Sequence, residues 1–263
     1  MSERVTFTRE SDRPHVGHLR IDADDHNLLT PALVGDIREA VASVPDDCSV
    51  LTVVGRPGPD GAVSGLTAGL HLGEASDLSS SEARHLIGDL RDAIRAVRDL
   101  DAVTVCSCGG YALGAGLELA MACDFRVATT DAVLGLPEVE VGLVTGIQGG
   151  LLIRLVGLQA AKELVFLGDP VSGERAESMG LVNRAVSPDE YDDAVAGIVD
   201  GLAEKSPLVL RWQSEVFRAW RCRGVEAGVD HSRETIAACF DTHDQREGMT
   251  AFLEGRAPAF EGR

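Results

Sequence analysis

Short apolar runs alternate with segments of helical spacing along the first part of the chain. Two β-like segments, "VTFTRE" and "HVGHLRID", are separated by the turn residues "SDRP". Residues 31–44 begin with proline and carry apolar side chains at helical spacing, which predicts a helix. The run "SVLTVVG" at 49–55 is continuously apolar, as expected for a strand covered on both faces. This part of the chain therefore predicts strand–helix units.

Further helices and strands follow up to about residue 148, and from there the pattern is mainly helical. Residues 79–100 predict a long amphipathic helix, and "AVTVCSCGG" predicts the next strand. The segment "DFRVATTDAVLGLPEVEVGLV" predicts two strands separated by the polar turn "TTD". From Gly149 onward the spacing is mainly helical, and a helical tail begins near 206–220. The whole pattern predicts an α/β fold with strand–helix units first and helices afterwards.

A glycine-rich stretch interrupts this pattern between the predicted strand at 49–55 and the long helix. Its sequence is "RPGPDGAVSGLTAGLHLGE", residues 56–74. This stretch is too long for a simple turn, so we expect it to be either functional or mobile.

Composition limits the class of protein. The chain has 263 residues, 44% of them hydrophobic, which is enough for one large domain or one domain with an appendage. No window approaches the roughly 18–20 uninterrupted apolar residues of a membrane span. The N-terminal "MSERVTFTRESDRP" has no apolar core of a signal peptide. We therefore expect a cytoplasmic protein that does not bind a membrane.

The charge is strongly acidic. The 24 basic and 42 acidic residues give a net charge of −18, and only Lys162 and Lys205 are lysines. Such a charge repels a phosphate backbone, so nucleic acid is not an expected partner. We interpret it as a solvated acidic surface suited to a halophilic, high-salt cytoplasm, where charges are screened over short distances. A docking surface for a cationic partner is the alternative.

The six cysteines have neither metal-ligand spacing nor a disulfide pattern. Cys106 and Cys108 fall in a predicted strand, where alternation places them on one face. We expect buried, reduced thiols here and no metal site.

Glu118 is the first candidate for chemistry, because it lies in the small, apolar segment "YALGAGLELAMACD". A carboxylate in such surroundings is either paired or used. The preceding Gly114-Ala115-Gly116 lies between a strand and a helix, where free N–H groups favour negative charge. The alternative is a structural carboxylate satisfied by a buried arginine or by backbone.

Glu138 in "LGLPEVEVGLV" is the second candidate. Two carboxylates near an anion-stabilising turn could handle a water molecule and a carbonyl. Glu140 lies on the same face of the predicted strand, so either residue could face the site, and a solvated or ion-paired strand residue is its alternative. His71, His85 and His231 are isolated, and no serine–histidine–aspartate signature, phosphate-binding loop or nucleophile elbow is found.

Several blocks, in order, resemble the enoyl-CoA hydratase/isomerase (crotonase) superfamily over about residues 6–260. The segment "GGYALGAGLELAMACDFRVAT" resembles its long central signature. Flanking blocks are similar to family motifs, namely "HNLLTP", "LPEVEVGL", "GGLLIRLVG", "LGDPVSGERAESMGLVNRAV" and "DQREGMTAFLEGRAPAF".

The resemblance implies a spiral of ββα turns over residues 1–200 and a C-terminal helical region at 201–263 that drives trimer formation, often as a dimer of trimers. It also implies that the backbone N–H groups of Leu70 and Ala115 bind the thioester oxygen of an acyl-CoA and stabilise an enolate. No separate cofactor is implied, because coenzyme A is part of the substrate. The stretch at 56–74 would then be half of the oxyanion hole.

Hydratases of the superfamily carry two glutamates at the positions of Glu118 and Glu138. The implied reaction is syn addition of water to a trans-2-enoyl-CoA, with Glu118 deprotonating the water that attacks C3 and Glu138 protonating C2. Two alternatives stay open. One is another reaction on the same enolate, such as isomerisation, thioester hydrolysis or decarboxylation. The other is a non-catalytic, RNA-binding relative, against which both glutamates and the charge of −18 count.

The resemblance assigns substrate binding to His26, Ala68, Gly114 and Arg256, but the sequence departs from the family pattern in three places. His71 replaces a common aspartate in the first oxyanion loop. The segment "GLVTGIQGGLLIRL" lacks the proline and the T-Q of the usual "PGxGGTQRL". The basic residues that meet the coenzyme A phosphates are few, so we expect binding to depend on Arg256 and on high salt, or a non-standard substrate.

Overall fold

A computed structural model describes residues 4–58 and 63–263 of the chain. Its strands form one sheet in the order β1-β2-β3-β4-β5-β6. The first two strands form the antiparallel hairpin, and every later neighbour is parallel. The strands are β1 (Val5–Arg9), β2 (Val16–Ile21), β3 (Val50–Val54), β4 (Val103–Leu113), β5 (Phe125–Gly135) and β6 (Arg184–Val186). The expected strand–helix units are therefore present.

Helices connect the parallel strands and form the end of the chain. They are α1 (Pro31–Ala42), α2 (Leu72–Ala75), α3 (Ser80–Arg98), α4 (Ala115–Ala122), α5 (Gly149–Leu167), α6 (Gly173–Ser178), α7 (Tyr191–Ala203), α8 (Pro207–Cys222), α9 (Val225–Cys239) and α10 (His243–Glu254). None of the helices in the described ranges is long and apolar enough to cross a membrane. The predicted boundary between 200 and 201 falls inside α7, and the division into two regions stays a prediction.

Local sequence signals explain where the longer helices begin. Thr30 caps α1 by accepting the N–H of Leu33, and Pro31 takes the first helical position. Ser79 and Glu82 form a capping box at the start of α3. Leu86, Leu90, Ile94 and Val97 of the predicted apolar face of α3 are buried, whereas Ile87 is 40% exposed and lines the cavity at the candidate site.

The prediction of two strands within 124–144 is wrong. Residues 125–135 form one continuous strand, which pairs with β4 at residues 125–128 and 133–135 and with β6 at residues 127–129. Thr130 and Asp131 are exposed and lie within this strand without ending it. Residues 137–141 form a 3₁₀ turn that begins at Pro137. Glu138 and Glu140 are therefore not in a strand, and the prediction that alternation places them on the same face does not hold.

The arrangement places one buried helix at the end of the central strand. The helix α4 begins two residues after β4 ends, and all of its residues are buried. Ligand sites of parallel α/β sheets lie at the carboxyl ends of the strands, which is where α4 starts. On β4 itself, Cys106 and Cys108 are free, buried and 3.7 Å apart at sulfur, which confirms that they share a face.

Candidate active site

A cavity of about 490 Å³ lies where the segment before α2, the start of α4 and residues 137–147 meet. Its wall is mostly apolar. The carboxylates of Glu118, Glu138 and Glu140 are the charged groups among its lining residues. Ligand sites commonly combine an apolar wall with a few polar groups in this way.

Glu118 lies on the first turns of α4 and is only 1% exposed. Its Oε1 accepts the backbone N–H of Gln148 at 2.5 Å, at the start of α5. The pKa of Glu118 is raised from 4.5 to about 7, mainly by burial and also by the negative charge of Glu138. The N–H groups of residues 147–149 act in the opposite direction by stabilising the carboxylate. A carboxyl group with a pKa near neutrality can both accept and release a proton at physiological pH.

Glu138 is half-buried, and its two oxygens face different parts of the site. Its Oε2 accepts the hydroxyl of Thr145 at 2.9 Å. Its Oε1 lies 3.4 Å from the place that a Cβ on Gly114 would occupy. Glu138 therefore faces the start of α4, where the candidate backbone donors lie.

Glu140 is exposed and extends in another direction. Its Oε1 lies 3.4 Å from the place that a Cβ on Gly168 would take, at the end of α5. Both glutamates line the cavity, but of the two it is Glu138 that lies beside Gly114. The expectation that they share one face came from a strand that does not exist, because residues 137–141 form a 3₁₀ turn.

Leu70 and Ala115 both line the cavity. The Leu29 N–H donates to Gly69 O at 2.8 Å, and the His71 N–H donates to Leu29 O at 3.2 Å. In a parallel pairing of this kind, the N–H of Leu70 points away from Leu29. Ala115 is the first residue of α4, whose initial N–H groups have no partner within the helix. Among the described residues, neither of these two N–H groups has a protein acceptor.

Gly69 allows the two donor segments to approach. Its φ is +91°, and a Cβ there would lie 2.7 Å from Leu113 O and 3.6 Å from Ala115 N. Any side chain at this position would both strain the backbone and separate the segments. Residues 59–62 of the glycine-rich stretch lie outside the described residues.

Asn27 and Thr67 hold this loop in place, and the sequence interpretation missed both. Asn27 is fully buried, and its Nδ2 donates to Ile21 O at 2.9 Å and to Leu66 O at 3.0 Å. Thr67 donates its hydroxyl to Asn27 O at 2.6 Å and accepts the N–H of Gly69 at 3.0 Å. The turn-forming sequence "DADDHN" is the signal that could have identified Asn27, which has a φ of +50°.

Gln148 is another residue that the interpretation missed. Its backbone N–H contacts Glu118, and its side-chain Oε1 accepts from Arg98 Nη1 at 3.0 Å. Arg98 is in turn bonded to Asp99 at 3.0 Å. The start of α5 is thereby fixed to the end of α3 close to the buried carboxylate.

The remaining predicted substrate-binding residues fall in different places. Ala68 and Gly114 line the cavity, whereas His26 and Arg256 are not among the described residues that line it. His26 is exposed and packs edge-on against the ring of Tyr111, with 6.2 Å between centroids. Arg256 forms a bidentate salt bridge with Glu247, with N–O distances of 2.6 and 2.9 Å. The role of Arg256 in binding coenzyme A stays a prediction, and in this structure its guanidinium is paired with Glu247.

His71 replaces the aspartate of the family pattern without loss of the local structure. Its Nδ1 accepts the N–H of Glu74 at 3.1 Å and caps the short helix α2. Aspartate commonly provides such a cap, so histidine supplies the same acceptor here.

Comparison with known proteins identifies the family. A family model described as "Enoyl-CoA hydratase/isomerase" matches residues 14–263. A crotonyl-CoA hydratase of Syntrophomonas wolfei is 34% identical over 236 residues, which cover 89% of each chain. The chain belongs to the enoyl-CoA hydratase/isomerase family.

Solved structures support the same fold. An enoyl-CoA hydratase of Bacillus anthracis matches with a TM-score of 0.89 and 26% identity, covering 99% of this chain and 100% of that one. An enoyl-CoA hydratase of Mycobacterium smegmatis matches with a TM-score of 0.90 and 26% identity, covering 98% and 99%. The α/β crotonase fold expected from the sequence is thereby confirmed.

Proposed function

We propose that the protein is an enoyl-CoA hydratase, which adds water across the 2,3-double bond of a trans-2-enoyl-CoA and gives a 3-hydroxyacyl-CoA. The observation that carries this proposal is the pair of carboxylates, Glu118 and Glu138, at one cavity beside two backbone N–H groups that have no acceptor among the described residues. Relatives such as the crotonyl-CoA hydratase of Syntrophomonas wolfei support the same reaction.

The backbone donors act on the thioester. The N–H groups of Leu70 and Ala115 bind its carbonyl oxygen, which becomes negatively charged when water attacks C3. Fixed donors in an apolar cavity stabilise such an oxyanion, and losing one typically costs about 3–4 kcal/mol of transition-state stabilisation.

The carboxylates transfer the protons of the added water. Glu118 accepts a proton from the water as its oxygen bonds to C3, and the electrons of the double bond move to the thioester as an enolate. The reactive form of the pair has Glu118 ionised and Glu138 protonated, and Glu138 transfers its proton to C2 of the enolate as the carbonyl re-forms. Proton exchange between the pair and solvent then restores the starting state. The negative charge of Glu138 contributes to the raised pKa of Glu118, so the proposal assigns the two carboxylates a joint role in proton transfer.

The assay follows the enone absorbance of crotonyl-CoA and longer enoyl-CoAs in several salt concentrations. We expect wild-type protein to remove this absorbance and to give a product heavier by one water. The variants Glu118→Gln and Glu138→Gln should each lose roughly 10²- to 10⁴-fold in kcat. Glu140→Gln is the matched control, because it changes an exposed carboxylate in the same turn and should keep most activity.

Other outcomes separate the alternatives. A product of unchanged mass would indicate isomerisation, and release of free coenzyme A would indicate thioester hydrolysis. If the wild-type protein leaves all enoyl-CoAs unchanged in every salt, the hydratase proposal is rejected.

We also propose that the substrate is an acyl-CoA of fatty acid β-oxidation and that the protein assembles as a trimer or dimer of trimers. Large apolar side chains exposed on the late helices support assembly, among them Phe166, Phe217, Phe252 and Leu253. Light scattering on the purified protein tests this, and a monomeric mass would reject it.

A cytoplasmic, high-salt environment is part of the same proposal. The net charge of −18 supports it, because self-repulsion is weaker when salt screens the surface. Unfolding in low and high potassium chloride tests this idea, and stability that does not rise with salt would contradict it.

A further inference from the structure

Thr145 contacts one of the two carboxylates at a position where this sequence departs from the family pattern. Its hydroxyl donates to Glu138 Oε2 at 2.9 Å. The segment that contains Thr145, "GLVTGIQGGLLIRL", lacks the proline of the usual "PGxGGTQRL". A proline has no hydroxyl and could not make this contact.

The hydrogen bond from Thr145 sets the direction in which the Glu138 carboxylate points. Glu138 lies in a short 3₁₀ turn between half-buried Pro137 and exposed Val139, and a glutamate in such a place has several rotamers. With Oε2 bonded to Thr145, the other oxygen, Oε1, lies on the Gly114 side. Gly114 directly precedes Ala115, whose N–H is one of the two candidate donors. The hydroxyl thus fixes one oxygen and leaves the other free beside the donor.

We propose that Thr145 is a positioning residue, which holds Glu138 so that its Oε1 faces the carbon to be protonated. The proposal rests on the proposed hydratase function. Thr145 itself transfers no proton in it. Holding a long side chain in one rotamer reduces the entropy lost on reaching the transition state, so the effect belongs in kcat and not in substrate binding.

The test compares Thr145→Val, which keeps the shape and removes the hydroxyl, with Thr145→Ser, which keeps the hydroxyl. A hydrogen bond to a charged group corresponds to roughly 10- to 100-fold. We expect Thr145→Val to lose about that factor in kcat with KM within about twofold, and Thr145→Ser to recover most of the loss. In a Glu138→Gln background, Thr145→Val should cause little further loss, because the group that it positions is gone.

Three results would overturn the proposal while leaving hydratase activity intact. They are an unchanged kcat in Thr145→Val, an increase in KM alone, or an equal loss in the Glu138→Gln background. Failure of Thr145→Ser to recover activity would also count against it.

A measurement without substrate separates this inference from the proposed function. Urea unfolding of wild type, Thr145→Val, Glu138→Ala and the double variant gives the coupling between the two side chains. Non-additive losses support the contact, and additive losses overturn it. If the wild-type protein hydrates no enoyl-CoA, both the hydratase proposal and the catalytic role of Thr145 are rejected. The unfolding cycle still shows whether the two side chains interact.

Discussion

The buried carboxyl of Glu118 should make the stability of the protein depend on pH in a defined direction. Its pKa is about 7 in the folded protein and 4.5 ordinarily, mainly because burial disfavours the charged form. Below pH 4.5 the group is neutral in both the folded and unfolded states. Between pH 4.5 and about 7 the unfolded chain releases the proton while the folded protein keeps it, so stability falls as pH rises. Above pH 7 the group is ionised in both states, and the free energy of unfolding is lowered by the full cost of burying the charge.

The magnitude follows from the two pKa values. The difference between 4.5 and about 7, at 1.36 kcal/mol for each pKa unit, is about 3 kcal/mol. Glu118→Gln removes this cost, because glutamine has nearly the same shape and no charge. Its side-chain oxygen can still accept the N–H of Gln148. We therefore expect Glu118→Gln to be about 3 kcal/mol more stable than wild type above pH 7 and equal to it below pH 4.5.

The assay is urea unfolding at one protein concentration over a series of pH values from about 4 to about 8.5. Trp212 and Trp220 on α8 provide a fluorescence signal. The quantity to compare is the difference in the free energy of unfolding between variant and wild type, because the contributions of other titrating groups cancel in this difference. Glu163→Gln on α5 is the matched control, since it changes an exposed carboxylate and should give a difference that does not vary with pH.

A flat difference for Glu118→Gln, or one that favours wild type as pH rises, would refute the reasoning about burial. Glu138 offers a further check. Its negative charge contributes to the raised pKa of Glu118, so the pH-dependent difference should be smaller when measured in a Glu138→Gln background.

Two further predictions concern the backbone around the site. Gly114→Ala should lower the free energy of unfolding by about 1–3 kcal/mol, because the φ of +52° and ψ of −125° suit only glycine. Gly88→Ala on α3, where nothing lies within 4 Å, is its control and should slightly stabilise the protein in urea unfolding. Asn27→Ala should cost on the order of 3 kcal/mol, because it leaves Ile21 O and Leu66 O without their donor, and a loss below about 1 kcal/mol would contradict that.

Much of the fold could be predicted from local patterns. The hairpin, the helix at 31–42, the strand at 50–54 and the long helix at 80–98 all follow from apolar spacing and end signals that lie within each element. The strand at 125–135 could not be predicted in the same way. Its polar middle resembles a turn, and the strand is held by pairing with distant segments, namely β4 on either side of residues 129–132 and β6 at residues 127–129.

For the candidate site, the sequence by itself determined which chemistry was available, because an ionisable residue in the apolar segment around Glu118 is conspicuous in any conformation. The tertiary structure decided how the groups meet. It placed Glu138 rather than Glu140 beside Gly114, gave Thr145 and Gln148 their contacts, and paired Arg256 elsewhere. Burial and contacts between residues far apart in the chain set these outcomes, and no local pattern contains them.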